Sequence, residues 1–171
     1  MKKILSIALF ASALAASAHA VIVGASIGYL TDGEDTYFAA RAGGVFSSSD
    51  SISHILEFEV GYTSDSEGGV DGSILPVTLN YRADFARGQK VGYYVGGGAG
   101  MARTKVSGFG ISENDWSFAM QGFAGVSMRV SERSSINLGA RYIWLDDITL
   151  LGESISLGDD LAIEAGFQIR F

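Results

Sequence analysis

The chain has 171 residues, no cysteine, and 12 basic against 19 acidic side chains, for a net charge of −7. This excludes disulfides and thiol chemistry and argues against nucleic acid as a partner, because phosphate binding needs a basic surface. Mean hydropathy is +0.25, yet beyond the N-terminus no stretch approaches the roughly 20 apolar residues of a membrane helix. The richest candidate, Val91 to Ala102, is short and carries five glycines.

Met1 to Ala20 reads as an export signal. Lys2 and Lys3 form its charged start, and Ile4 to Ala16 is apolar apart from Ser6 and Ser12. Ala18-His19-Ala20 fits the small-x-small cleavage rule. The mature chain is therefore expected to run as one domain over residues 21–171. Without the two signal lysines it holds 10 bases and 19 acids, a net charge of −9.

Eight segments with period-two alternation follow, the mark of strands with two different faces. The first, near Ile22 to Leu30, sets Val23, Ala25, Ile27 and Tyr29 against Gly24, Ser26 and Gly28. The second, near Thr36 to Phe46, sets Phe38, Ala40, Ala42 and Phe46 against Arg41. The third, near Ser53 to Tyr62, alternates Leu56, Phe58, Val60 and Tyr62 with Glu57, Glu59 and Gly61. The fourth, near Ile74 to Phe85, alternates Leu75, Val77, Leu79, Tyr81 and Phe85 with Thr78, Asn80, Arg82 and Asp84. Pro76 lies near its start, where a missing N–H does least harm.

The fifth segment, near Lys90 to Arg103, sets Val91, Tyr93, Val95, Ala99 and Met101 against glycines. The sixth, near Asp115 to Val130, sets Trp116, Phe118, Met120, Ala124, Val126 and Met128 against Ser117, Gln121, Ser127 and Arg129. The seventh, near Ser135 to Leu145, sets Ile136, Leu138, Ala140, Tyr142 and Trp144 against Asn137, Gly139 and Arg141. The last is strict over eleven residues, with Leu161, Ile163, Ala165, Phe167, Ile169 and Phe171 on one face. Ala162, Glu164, Gly166, Gln168 and Arg170 lie on the other. About 9–11 residues of tilted strand cross a bilayer. High apolarity without a spanning helix, behind an export signal, predicts an all-β, antiparallel, up-and-down transmembrane barrel of eight strands.

The run Ile163-x-Ala165-x-Phe167-x-Ile169-x-Phe171 resembles the terminal signature of bacterial outer-membrane barrels. The strand count is similar to that of the OmpA-like and OmpX-like members. The resemblance implies that Phe167, Ile169 and Phe171 are read by the barrel assembly machinery. It also implies an integral place in the outer membrane of a Gram-negative-type bacterium, in contact with its lipids. An even strand count puts both termini on the periplasmic side, with Ser47–Ser51, Ala86–Gln89 and Ser131–Ser134 as short turns there. Thr63–Ser73, Thr104–Asn114 and the segment from Asp146 to Asp159 become the longer outer loops.

In that orientation the outward aromatics gather at two levels. Tyr29, Phe38, Tyr62, Trp116, Phe118, Tyr142 and Trp144 form an upper girdle. Phe46, Tyr81, Phe85, Tyr93, Phe167 and Phe171 form a lower one. A soluble barrel would put its apolar face inside and its charges in water.

The inward face carries Arg41, Glu57, Glu59, Arg82, Asp84, Arg129, Arg141, Glu164 and Arg170. Charges in a narrow lumen must pair. Folding the last hairpin around Leu151–Ser154 pairs Leu150 with Ile155 and Ile148 with Leu157. That register puts Trp144 beside Leu161 and Arg141 opposite Glu164. A second expected ladder is Arg41–Glu57–Arg82. Eight strands leave a bore that side chains fill, so the network is read first as a plug. The alternative is a salt-bridge-gated pore of small conductance.

Strands seven and eight are expected to project outward as a ribbon, whose exposed edge offers a surface ligand a place for strand addition. The many loop acids show no ordered ligand spacing, so a solvated surface is preferred to a Ca²⁺ site and no metal or cofactor is expected. His54 is the sole histidine of the mature chain. It has lipid-facing parity and no acid placed to orient it, so no enzyme is predicted. The expected role is envelope integrity or adhesion through the outer loops.

Overall fold

A computed structural model describes residues 20–67, 70–85, 89–108, 111–150, 153–155 and 157–171. The expected export signal, through residue 19, lies outside them, as do Leu151 and Gly152 of the expected last turn.

The strands are β1 Val21–Leu30, β2 Thr36–Ser48, β3 Ile52–Glu67, β4 Val70–Phe85, β5 Val91–Gly108, β6 Ile111–Arg129 and β7 Ser134–Leu145. They continue as β8 Ile148–Leu150, β9 Glu153–Ile155 and β10 Asp159–Arg170. Strands β1 to β7 and β10 form one closed antiparallel barrel in chain order, and β8 with β9 makes a separate two-stranded sheet. Closure runs through β1 and β10, from Ile22 opposite Arg170 to Leu30 opposite Ala162. At the seam Val21 N–H donates to the Phe171 carbonyl at 3.2 Å, and Phe171 N–H donates back at 2.8 Å. Closure leaves no unpaired edge at membrane depth, where an unmet backbone group is costly.

The two faces settle which solvent the barrel meets. Leu79 and Val126 are 41% and 40% exposed on the outside, while Glu57 and Arg82 are fully buried inside. A water-soluble barrel has the opposite arrangement. Two features come directly from residue chemistry. Pro76 has no N–H, and the β3–β4 ladder has no bridge between Val60–Val77 and Thr63–Ile74, the span where Pro76 lies. Phe46 is the extra residue of a bulge between Val45 and Ser47.

Strand ends differ from expectation at the end away from Val21 and Phe171. Segments 63–67 and 70–73 are strand, as are 104–108 and 111–114. Register runs unbroken to Glu67 opposite Val70 and Gly108 opposite Ile111. Ser, Thr, Asp and Gly in those segments read as loop residues. The antiparallel ladder nevertheless continues, because each strand is templated by the neighbour already paired below it. The projecting ribbon is therefore a four-stranded sheet of β3, β4, β5 and β6, not strands seven and eight.

Beyond Leu145 the chain turns back onto β6. Asp146 N–H donates to the Phe118 carbonyl at 2.9 Å, and Leu145 N–H donates to the Gly158 carbonyl at 3.0 Å. Gly158 has φ +69°, a left-handed conformation that suits glycine. Ile148, at 2% exposure, is tucked in rather than extended outward.

The last-hairpin register is corrected accordingly. Ile148 lies opposite Ile155 and Leu150 opposite Glu153. Trp144 lies opposite Asp159 and Arg141 opposite Ala162. The long fold-back from Asp146 to Gly158 sits outside the barrel ladder, so its internal pairing does not dictate the register of β7 against β10.

Candidate functional site

The lumen is layered. Toward the end away from Val21 and Phe171 an apolar cap joins Leu30, Tyr37, Ala39, Ala102, Ile143 and Leu145, among others. Near Val21 and Phe171 a smaller one joins Ile22, Val45 and Ile55. Charged side chains fill the space between.

Four of them form a closed quartet. Arg141 grips Glu59 with two hydrogen bonds, at 2.8 and 3.1 Å, and reaches Glu164 at 3.2 Å from both Nε and Nη2. Arg41 lies 3.7 Å from Glu59 and 3.7 Å from Glu164. Ser26 joins them, accepting from Arg41 Nη2 at 2.6 Å and donating to Glu164 at 3.2 Å. Glu164 has room for these partners because both of its ladder neighbours, Gly28 and Gly139, lack side chains. Gln121 Nε2 ties Glu59 to Thr78 and Asn80, at 3.0, 2.9 and 2.8 Å. Two positive and two negative groups, all buried, cancel in a place where an unbalanced charge is costly.

A looser group lies toward the end that carries Val21 and Phe171. Arg82 Nε donates to Asp84 at 2.6 Å. Glu57 is 3.9 Å from Arg82, and Asp84 is 4.0 Å from Arg170. The expected Arg41–Glu57–Arg82 ladder thus divides. Glu57 faces Arg82, whereas Arg41 belongs to the quartet, directly opposite Glu59 rather than Glu57. Arg129 lies exposed at the mouth near Arg170.

Between the two groups sit aromatic rings that the sequence reading did not single out. Arg82 stacks on Tyr94 with its guanidinium 4.3 Å from the ring centre, and Arg141 lies 4.9 Å from that of Phe123. The rings occupy slots left by inward glycines. A Cβ at Gly96 would strike Phe123, one at Gly61 would strike Tyr37, and one at Gly125 or Gly139 would strike Tyr94. Inward parity beside a glycine on the next strand was the available signal for Tyr37, Tyr94 and Phe123.

The outward aromatics lie where parity put them. Tyr29, Phe38, Tyr62, Trp116, Tyr142, Phe46, Tyr81, Phe85 and Tyr93 are all exposed on the outer wall, and Trp144 is half-buried against Phe118 with ring centres 6.3 Å apart. Phe167 and Phe171 are likewise outward, and Ile169 is half-buried. His54 shares a 2.7 Å hydrogen bond with Tyr81 and lies 6.1 Å from the Phe46 ring. Among the described residues no serine or carboxylate bonds the His54 ring. Among the described residues no group of three or more histidines and carboxylates is arranged to hold a metal ion.

Each mouth has a hollow. The end that carries Val21 and Phe171 has a cleft of about 100 Å³ near Asp84, Arg129 and Arg170. The other end has a cavity of about 250 Å³ between the Leu30 and Leu145 floor and a rim of aspartates. Neither is lined by the quartet.

A family model described as "Outer membrane protein beta-barrel domain" matches residues 4–171. Sequence comparison with curated proteins gives no match. Among solved structures the fold is similar to Neisserial surface protein A, with TM-score 0.64 and 19% identity over 89% of this chain and 96% of that one. It is similar to Ail, the attachment invasion locus protein of Yersinia pestis, with TM-score 0.57 and 18% identity over 89% and 97%. It is also similar to the outer membrane enzyme PagL, with TM-score 0.53 and 14% identity over 86% and 98%.

Proposed function

This chain belongs to the outer membrane protein beta-barrel domain family, and from that membership we propose a non-enzymatic barrel whose work is surface interaction and envelope integrity. The observation that carries the reading is the four-stranded sheet of β3–β6, which continues past the upper aromatic level on a barrel whose lumen is filled. Its lateral edges are the outer ends of β3 and β6. Strand β2 pairs with β3 only as far as Tyr62, and β7 pairs with β6 only as far as Ala119. Asp146 N–H already bonds the Phe118 carbonyl on the β6 side, so the β3 edge is the one that offers an added strand a place. The name Ail, an attachment protein, agrees with such a role. His54 bound to Tyr81 supports the non-enzymatic part. In this reading residues 1–20 are removed on export, both termini face the periplasm, and the last strand is recognised by the assembly machinery.

Deleting Lys105–Asn114 is expected to leave a barrel with heat-modifiable gel migration and to abolish adhesion of expressing cells to protein-coated surfaces. Undiminished adhesion sinks the surface reading.

The eight paired inward charges also fit a second reading, a gated pore of small conductance. Glu164→Ala, followed by single-channel recording and thermal melting, separates the two. A plug predicts a lower melting temperature. A changed conductance with unchanged melting favours the pore.

A further inference from the structure

The outer wall is apolar along most of β5 but carries two bases toward the end away from Val21 and Phe171. Arg103 and Lys105 are exposed there, on the same parity as Ala99 and Met101. Arg103 lies opposite Trp116 and Lys105 opposite Asn114. A base on a lipid-facing wall is costly at mid-depth and nearly free at the interface, the level at which rings such as Trp116 gather. Asn114 Oδ1 holds the Arg103 guanidinium, accepting from Nε at 3.3 Å and from Nη2 at 3.1 Å. That partner is neutral. Among the described residues no carboxylate pairs with Arg103 or Lys105. Alternation explains this at an end so rich in acids. Asp65, Glu113 and Asp115 lie on the opposite face of the β3–β6 sheet, across from Gly72, Thr104 and Val106. Asp71 shares the face of Lys105 but accepts the Ser66 hydroxyl at 2.7 Å.

A second observation, independent of the bases, lies on the same wall. Gly122 presents no side chain, and a Cβ there would meet nothing within 4 Å. The dent belongs to an apolar groove of about 540 Å³ whose walls are Phe118, Met120, Tyr142 and Trp144. That volume falls within the roughly 300–1,000 Å³ of ligand sites. At the end nearest Trp116, Phe118 and Trp144 wall the groove with ring centres 6.3 Å apart. Gly122 is six residues along β6 from Trp116, which is about 20 Å of strand. At the roughly 35–45° tilt of such barrels this is about 15 Å of depth, half of the roughly 30 Å hydrocarbon core. The groove therefore ends where the tails of one leaflet end, and the bases stand where its headgroups lie.

We propose that this wall holds a single phosphate-bearing lipid in a defined site. Arg103, oriented by Asn114, and Lys105 take the phosphate, the anion for which a guanidinium and an ammonium are suited. One acyl chain runs past Trp116 and Phe118 into the groove at Gly122. A free phosphate makes no use of the groove, and a neutral hydrocarbon makes none of the bases. The inference goes beyond the surface reading. It rests on family membership, which makes this wall the lipid-facing one, and requires neither adhesion nor conduction. Its failure leaves both of those tests standing.

The test uses the mature chain refolded in detergent micelles and followed by native mass spectrometry during titration with dimyristoylphosphatidic acid. Saturable retention of one lipid per chain is expected. Dimyristoylphosphatidylcholine has the same tails but a phosphate masked by a quaternary ammonium, and should bind at least about tenfold more weakly. Inorganic phosphate at the same concentration should not displace the bound lipid. The double variant Arg103→Gln/Lys105→Gln alters only exposed wall side chains and keeps heat-modifiable migration. It should weaken phosphatidic acid binding at least about tenfold. Gly122→Leu fills the groove without touching the bases, also keeps heat-modifiable migration, and should weaken binding by about threefold or more. Equal retention of the two lipids would reduce the wall to ordinary lipid solvation and overturn the proposal. So would binding unchanged in either variant. Displacement by inorganic phosphate would leave only an exposed ion pair and overturn it as well.

Discussion

Glu59 in the lumen and Asp35 at the mouth are the same chemical group in opposite circumstances. Glu59 is buried and meets Arg141, Arg41 and Gln121. Asp35 is half-exposed and faces Asp65 and Asp160, both acids. The inner carboxylate is held by strands far apart in the chain, since Arg141 on β7 reaches across the bore to β3. The outer one lies where the chain leaves β1 for β2, near other turns rich in aspartate. Inside, charge is balanced to the last group because nothing else can solvate it. At the mouth the imbalance is tolerated because water is at hand.

The comparison breaks most visibly at Glu59. Removing one member of a buried, hydrogen-bonded pair typically costs about 3–5 kcal/mol, and Glu59→Ala is expected to lose that much in urea unfolding from lipid vesicles. It strands two arginines against a single remaining carboxylate, Glu164. The double variant Arg41→Met/Glu59→Met restores the balance, leaving Arg141 with Glu164, and should recover a large part of the loss. If Glu59→Ala unfolds like the wild type, the quartet is not what holds the bore closed.

A smaller effect compares the two walls through glycine. At Gly96, on the inner face, a methyl group meets the Phe123 ring and the Tyr81 carbonyl. At Gly122, on the outer face, it meets nothing within 4 Å. Overpacking costs about 1–3 kcal/mol, so Gly96→Ala should lower stability by that amount. Gly122→Ala should stay within about 0.5 kcal/mol of the parent. Equal losses in the same unfolding assay would mean that glycine serves strand geometry on both faces, not ring packing on one.

Much of this was legible in the sequence, for a plain reason. Period-two alternation assigns every side chain to a face, and the last strand, Leu161 to Phe171, does so without exception. Strand number, closure and the separation of apolar from charged faces all follow. Parity says nothing about depth or about the far wall. It could not show that Arg41 meets Glu59 rather than Glu57, or that Arg141 reaches Glu164 diagonally from opposite Ala162. It also gave no hint that Thr63–Glu67 and Thr104–Gly108 stay in strand, since their Ser, Asp and Gly content matches that of loops. Pairing to a neighbour decides those segments, and pairing is not a local property. The mouth cavity was equally hidden, because Leu30, Ile74 and Leu145 come from three strands and meet only on closure.

The mildest expected effect lies at Asp35. Its carboxyl is held above the ordinary range by burial, then by Asp65 and Asp160, so the folded chain binds that proton more tightly than the unfolded chain does. Protonation therefore favours the fold. The penalty is present at neutral pH, where Asp35 is ionised, and fades as pH falls through its raised range. Asp35→Asn removes the penalty at every pH. The variant should equal or slightly exceed the parent at pH 7, by less than about 0.5 kcal/mol, and the gap should close on acidification to about pH 4, near the ordinary carboxylate range. Urea unfolding of both chains at the two pH values reads this directly. A variant less stable than the parent at pH 7 would mean that Asp35 has a stabilising partner, and the contrast between a paired interior and an unpaired mouth would be lost.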